Sequence, residues 1–420
     1  MLTGQILLSL LVILVIVQIC GFLCLRVGQQ WVIGEIIAGL ILGPSVLGAL
    51  LPGLHALVFP TSAFATLQTL GEIGLILYMF SLGARLDTHS MVSQTRKAIF
   101  ASLSGILLPL FLGGILAFFL YPDFAGKHTT QFSFILMVGT AMAITAFPVL
   151  SRLLTEKQMT GTRIGTLALT CSAVDDVLAW CLLALVIAVV NSASLLSVAV
   201  TIGGVLLFTL IMFFVVRPLL AWAERTLQSQ QMLIVLTMLL LLAAAYITNV
   251  IGIHPVFGAF VTGLIVPRKT TFVAHIRSID QVNALLFLPL FFVYSGLRTQ
   301  IGLLSSPWLW LLCLVTLLVA CVGKLAGGAL VVRAMGERWK DAFTLGILMN
   351  TRGLVELIIL NIGLDLGVLS PTLFAILVIM AVVTTMMASP LLSWLGYRER
   401  SSPLTSNPVL DEQFVTTPHS

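Results

Sequence analysis

Charge is what this sequence lacks. Only 9% of its 420 residues are Asp, Glu, Lys or Arg, against about 25% in an ordinary soluble domain. So few charges cannot cover a water-facing surface, which excludes a soluble globular protein and leaves lipid as the solvent for most of the chain. Cysteine is scarce too. Cys20, Cys24, Cys171, Cys181, Cys313 and Cys321 all fall inside apolar runs. They show neither metal-ligand spacing nor a disulfide framework, and read as small packing residues. The net charge of +5 does not mark a nucleic-acid binder, because the basic residues sit in short loops between apolar runs. The first apolar run lacks a basic leader and a small-residue cleavage site, so a retained helix is expected there.

Hydrophobic residues make up 59% of the chain. A helix needs about 20 of them in a row to cross about 30 Å of hydrocarbon. About thirteen such runs follow one another from Ile6–Leu25 to Pro371–Leu395, with His254–Val266 and Ala284–Gly296 the shortest. The expectation is an all-α polytopic membrane protein, with a transmembrane domain over residues 1–397. A polar, proline-bearing tail over 398–420 is expected to be disordered and cytosolic, and too short to hold a regulatory domain.

The loops give an orientation. Lys127 and Arg298 fall on one side and Lys324 and Arg352 inside spans, while every other one of the 21 Lys and Arg residues falls on the opposite side. By the positive-inside rule the N-terminus is expected outside and the C-terminus in the cytosol.

An internal repeat is visible. The stretch from Val32 to Pro44, with Gly34 and Gly39, matches the stretch from Val256 to Pro267, with Gly258 and Gly263. Farther on, the stretch ending at Arg85 resembles the one ending at Arg298, and Gly139-Thr-Ala-Met142 parallels Gly346-Ile-Leu-Met349. The loop charges place the two copies in opposite orientations, and inverted repeats are the architecture of secondary transporters.

An ionisable residue inside a membrane is a functional candidate by default. Asp175 and Asp176 lie near the middle of the run Ile164–Val190. Neighbours on a helix point about 100° apart, so one carboxylate can line a wet cavity while the other meets a basic group. A buried carboxylate balanced by a nearby cation can hold either a proton or a metal cation, which is what exchange requires. The candidate ion- and proton-binding residues are therefore Asp176, for a transported alkali cation, and Asp175. Lys324, among Gly323, Gly327 and Gly328, is the expected salt-bridge partner and a possible proton carrier. A permanent structural ion pair is the competing reading of that lysine.

Two runs carry breaks in corresponding halves: Thr145, Ala146, Phe147 and Pro148 in one, Asn350, Thr351, Arg352 and Gly353 in the other. Interrupted spans so placed point to a midplane binding site. Arg352 and Glu356 are four apart on one helix face and read as a structural charge pair that neutralises helix ends. Glu35 and Glu72 lie near the ends of their runs and are given no role in transport.

Together these stretches resemble the cation:proton antiporter-2 family, and within it the cation/H⁺ exchanger branch that includes plant and fungal endomembrane members. The likeness is carried by Gly34–Pro44, Ala143–Arg152, Ala173–Val177, Leu288–Phe292 with Ser295–Arg298, and Met349–Leu357, in that order. It implies the sodium/proton-antiporter fold, in which a dimerisation subdomain flanks a mobile core and two broken helices cross beside the acidic helix. It implies that Asp176 binds cation or proton, that Asp175 pairs with Lys324 in one state, and that a homodimer works by elevator-like alternating access. Many eukaryotic exchangers of the branch carry Asn-Asp where this chain has Asp175-Asp176. Potassium-efflux relatives carry a cytosolic nucleotide-binding domain that is absent from these 420 residues, and the short tail favours a bacterial inner membrane.

The expected function is secondary active exchange of a monovalent cation (Na⁺ or K⁺) for protons, electrogenic, with protons and an alkali cation as substrates and no cofactor. The alternatives are a channel-like cation pathway and an organic-anion symporter of similar fold. An intramembrane aspartyl protease is excluded because its two carboxylates must face each other, whereas adjacent acids on one helix diverge.

Overall fold

The structure is a computed structural model that describes residues 2–85, 95–127, 129–191, 195–226, 229–266 and 280–396. The expected disordered segment 398–420, and the loop carrying Arg268, Lys269 and Arg277, lie outside the described residues.

Local chemistry sets the helix starts. Ser306 and Ser370 each accept a hydrogen bond from the amide three residues on, with a proline in the first turn, a strong start signal. Thr130 caps the start of its helix in the same way. At the end of Gln230–Ile251 the chain turns through Gly252, at φ 92°, a left-handed position that glycine takes without steric cost.

In chain order the helices are α1 (Leu2–Arg26), α2 (Trp31–Leu42), the short α3 (Leu47–Leu50) and α4 (Pro52–Val58), α5 (Thr61–Arg85), α6 (Thr95–Phe124), α7 (Gln131–Ala143), α8 (Phe147–Glu156) and α9 (Arg163–Asn191). They continue with α10 (Leu195–Ile211), α11 (Arg217–Thr226), α12 (Gln230–Ile251), α13 (Pro255–Ile265), α14 (Leu288–Leu297), α15 (Pro307–Ala334), α16 (Trp339–Met349), α17 (Leu354–Asp365) and α18 (Pro371–Trp394). Among the described residues the only β feature is an isolated bridge between Ala125 and Leu369.

The expected count of thirteen spans is not established. Among the described residues ten helices are long and apolar enough to cross a membrane, or eleven if α16 and α17, bent by 43° at their break, form one span. The other two expected spans correspond to the broken α7–α8 and to the 11-residue α13, which is too short by itself to cross about 30 Å at 1.5 Å per residue. Glu72 also departs from its expected place near a span end. Because α5 begins at Thr61, Glu72 lies at mid-helix. Glu35 is buried within α2.

Helix packing falls into two groups. Helices α1, α2, α5, α12, α13 and α14 pack on one another, while α6, α7, α8, α9, α15, α16, α17 and α18 form the second set. The α10–α11 segment touches α9 of one group and α12 and α13 of the other. Inside the first group the sequence repeat becomes a packing repeat. Gly34 lets α2 approach α1 at Gly21, and Gly39 lets it approach α14, where a Cβ would stand 2.6 Å from the Val293 carbonyl oxygen. In the second copy Gly258 sits on Ala244 of α12 and Gly263 on Phe80 and Gly83 of α5. Small residues at such contacts let helix backbones meet where lipid offers no hydrophobic drive. Large apolar side chains such as Leu11, Phe111, Leu207 and Leu242 face outward, as a lipid-facing surface requires.

Candidate functional site

The second group is built around two broken helices. Residues 144–146 separate α7 from α8, and residues 350–353 separate α16 from α17. The first break thus lies slightly earlier than expected. Phe147 and Pro148 belong to the opening turn of α8, where proline's missing N–H leaves no intrahelical bond unmade, so Pro148 starts the second half-helix instead of interrupting it.

The breaks cross with a twofold logic. Three residues beyond Met142, Thr145 donates its Oγ1 to the Met349 carbonyl at 2.9 Å. Three residues beyond Met349, Arg352 donates its Nη2 to the Met142 carbonyl at 2.7 Å and its Nη1 to that of Ala141 at 3.0 Å. Each half-helix end is therefore satisfied by a side chain from the opposite break, and the Ala146 amide donates to the Thr351 carbonyl at 3.1 Å between them. The negative end of α7's dipole faces a guanidinium. Arg352 also reaches Glu356 Oε1 at 3.3 Å, and its own main chain is clamped to the Thr385 hydroxyl of α18. In the same break Thr351 turns back to Leu348, and Asn350 donates to the Cys321 thiol at 3.6 Å.

The acidic helix α9 packs against α6, α7, α8, α16 and α17. Thr162, just before the first residue of α9, caps the helix by accepting at Oγ1 from the Gly165 amide. Small residues such as Ala168, Cys171, Ser172 and Ala179 line its buried face. The two carboxylates diverge as the helical angle requires. Asp175 Oδ1 accepts from Ser102 of α6 at 2.5 Å, and its Oδ2 faces the Lys324 ammonium of α15 at 3.4 Å. Lys324 also donates to Thr145 at 2.8 Å, which ties the lysine to the crossing. Glycines bring its helix in: a Cβ at Gly327 would stand 2.7 Å from the Ser104 carbonyl oxygen of α6, and one at Gly328 3.3 Å from Gly346 of α16. Asp176 has no such company. Neither of its oxygens meets a hydrogen-bond partner; the neighbouring Asp175 carboxylate and the main-chain amide of Phe147, at the start of α8, are the groups that act on it electrostatically.

Asp175, Asp176, Glu356, Lys324 and Arg352 are each between 0% and 1% exposed. With Asp175 paired to lysine and Glu356 to arginine, Asp176 is the one carboxylate of the three without a cation. A proton or one monovalent cation there makes the cluster neutral.

A family model described as "Sodium/hydrogen exchanger, transmembrane" matches residues 10–396. The chain belongs to the sodium/hydrogen exchanger family. It is 42% identical over 393 residues to the Na⁺/H⁺ antiporter NhaS4 of Synechocystis sp., covering 92% of this chain and 96% of that one. It is 38% identical to cation/H⁺ antiporter 18 of Arabidopsis thaliana and 32% identical to K⁺/H⁺ antiporter 1 of Saccharomyces cerevisiae, in each case over 91% of this chain. The chain spans only 48% and 46% of those two longer proteins. Its fold is that of the sodium proton antiporter MjNhaP1 from Methanocaldococcus jannaschii, with a TM-score of 0.65 at 17% identity, covering 97% of this chain and 100% of that one. The likeness to the cation:proton antiporter-2 family thus stands on family, sequence and fold together.

Ser102 is not marked by the sequence, because a serine in an apolar helix carries no signal of what it faces. Glu35, expected to have no role in transport, is 4% exposed with its Oε2 unpaired. Among the described residues no group of three or more His, Cys, Asp or Glu side chains is placed to hold a resident metal.

Proposed function

We propose that this exchanger is a secondary active antiporter that moves a monovalent alkali cation against protons, with Asp176 as the residue that carries either one. The observation that supports this most is the contrast within α9: Asp175 is fully partnered, while Asp176 is buried with both oxygens free. A buried ionised carboxylate without partners is costly, so Asp176 gains by taking a proton or a desolvated cation, and the two compete for the same oxygens. The Phe147 amide at the N-terminal end of α8 favours negative charge there when neither is bound. With Lys324 protonated, it and Arg352 neutralise the remaining acids, so the cluster then changes by one charge between empty and loaded.

In this reading the second helix group is the moving core, carrying the crossing and Asp176, and the first is the dimerisation subdomain of a homodimer. The protein lies in a bacterial inner membrane with its N-terminus outside and its C-terminus in the cytosol. Reporters fused at the two ends test this: both on one side of the membrane would overturn it. The function is tested by cation-dependent proton flux in proteoliposomes, scanning Li⁺, Na⁺ and K⁺. Proton movement driven by one or more of them supports antiport. Cation flux that neither requires nor drives proton counter-movement would point instead to a channel-like pathway.

A further inference from the structure

A second polar cluster lies away from the crossing, between the two helix groups at the end where Arg298 closes α14. A cavity there of about 30 Å³ is walled by Gln68 and Glu72 of α5, His254 before α13 and Tyr294 of α14 on one side, and by Asn361 and Asp365 of α17 on the other. Its side chains form a chain of contacts. Gln68 donates to Glu72 at 2.9 Å, and the Tyr294 hydroxyl donates to Gln68 at 2.9 Å. Arg298 lies 5.5 Å from the Tyr294 ring centre and reaches across the group boundary to Asp365 at 2.6 Å and to the Asn361 side-chain oxygen at 3.3 Å. Beside it Asn361 donates to Ser295 of α14 at 2.7 Å.

We propose that this cavity is the outer mouth of the ion route and that Arg298, through its hold on Asp365, is the gate that must open at each turnover. The proposal rests on the antiporter reading above and adds a place and a residue to it. Three observations carry it. The cavity lies between the two groups and not inside either, where relative motion would widen or close it. Its far wall is α17, whose other end begins at Gly353 and places Glu356 in its first turn, so any shift of the crossing is transmitted along that helix to Asp365. Finally, Glu72 and Asp365 outnumber Arg298, so with His254 neutral the mouth carries one net negative charge, which favours a cation. The latch is suitably weak. Side-chain exposures of 19% for Arg298 and 47% for Asp365 put the pair in the class of partly hydrated ion pairs that contribute little to stability and break readily.

The test locks the boundary. Ser295→Cys with Asn361→Cys places two thiols where a 2.7 Å contact now joins the groups, and copper phenanthroline joins them in proteoliposomes, with the wild-type protein and its six cysteines treated in parallel. Oxidation is expected to reduce cation-driven proton flux to that of protein-free vesicles, and dithiothreitol to restore it. Undiminished flux in fully cross-linked protein would overturn the gate, while flux in the reduced sample tests antiport separately. Should the paired variant fail to exchange even when reduced, labelling decides. The Glu72→Cys variant is expected to react with an external impermeant thiosulfonate several-fold faster once Arg298→Gln removes the latch, and an unchanged rate overturns the proposal.

Discussion

Asp175 and Asp176 are neighbours in the chain and opposites in their surroundings. The first is held by Ser102 and Lys324, at 2.5 and 3.4 Å, while the second has no hydrogen-bond partner on either oxygen. The difference comes from one helical step of about 100°, which points one carboxylate toward α6 and α15 and leaves the other facing the opening turn of α8. One acid is thus built into the scaffold and the other is left available.

Replacing Asp176 with asparagine should end exchange and leave the protein folded. The amide keeps the shape, but it cannot alternate between a proton and a cation. Because Asp176 makes no hydrogen bond to lose, the melting temperature of the purified variant should stay at or above that of the wild type. Flux at the wild-type rate in folded Asp176→Asn protein would remove the central assignment.

Lys324→Met should be strongly destabilising. It strips a wholly buried carboxylate, Asp175, of its cation and leaves Thr145 without its lysine. Breaking a buried pair from one side costs about 3–5 kcal/mol. Adding Asp175→Asn removes the stranded charge and should recover much of the loss. Thermal unfolding of the two single variants and the double variant measures the coupling, and additive losses would mean that the two side chains do not support each other.

Arg352 and Glu356 should differ in importance despite forming one pair. Glu356→Gln removes a partner at 3.3 Å but leaves the guanidinium bound to the end of α7. Arg352→Gln frees the Ala141 and Met142 carbonyls and strands Glu356 as well. A loss of about 3 kcal/mol or more is expected for the arginine change, with a clearly smaller one for the glutamate change. Equal melting temperatures for the two variants would contradict the capping role.

Much of this was legible in the sequence, for physical reasons. Lipid forces long apolar runs and makes each interior charge conspicuous, so Asp175, Asp176, Lys324, Arg352 and Glu356 stood out without a structure. The repeat was legible because its glycines sit where backbones touch: Gly34 and Gly258 meet α1 and α12, and Gly39 and Gly263 meet α14 and α5. The paired methionines also marked corresponding places, since Met142 and Met349 present the carbonyls that the opposite break satisfies. What stayed hidden were contacts between distant segments. Nothing in a local pattern tells Ser102 that it faces Asp175, or Arg298 that it faces Asp365 across 67 residues. Helix starts were also blurred, which put Glu72 near an end when it lies at mid-helix.

The last prediction concerns charge. Exchange should be electrogenic, with two protons moved for each monovalent cation. The first proton is the one that the cation displaces from Asp176. The second comes from Lys324, and its bonding permits that release. The ammonium's shorter contact is to the neutral Thr145 hydroxyl at 2.8 Å, and its contact with Asp175 is longer, at 3.4 Å. A neutral amine can keep the first contact by accepting from that hydroxyl, which would turn from the Met349 carbonyl, while Asp175 keeps Ser102. Losing the lysine proton therefore leaves both side chains hydrogen-bonded, while Asp175 gives up its charge partner only in the cation-loaded state. Each cycle then moves one net charge, worth about 2.3 kcal/mol per 100 mV, so a membrane potential alone can drive the cation. In proteoliposomes with equal pH and equal cation on both sides, an imposed voltage should start proton movement, and Lys324→Gln should lose that response before it loses exchange driven by a pH gradient. Indifference of the wild-type protein to voltage would leave a one-for-one cycle in which Lys324 stays protonated throughout.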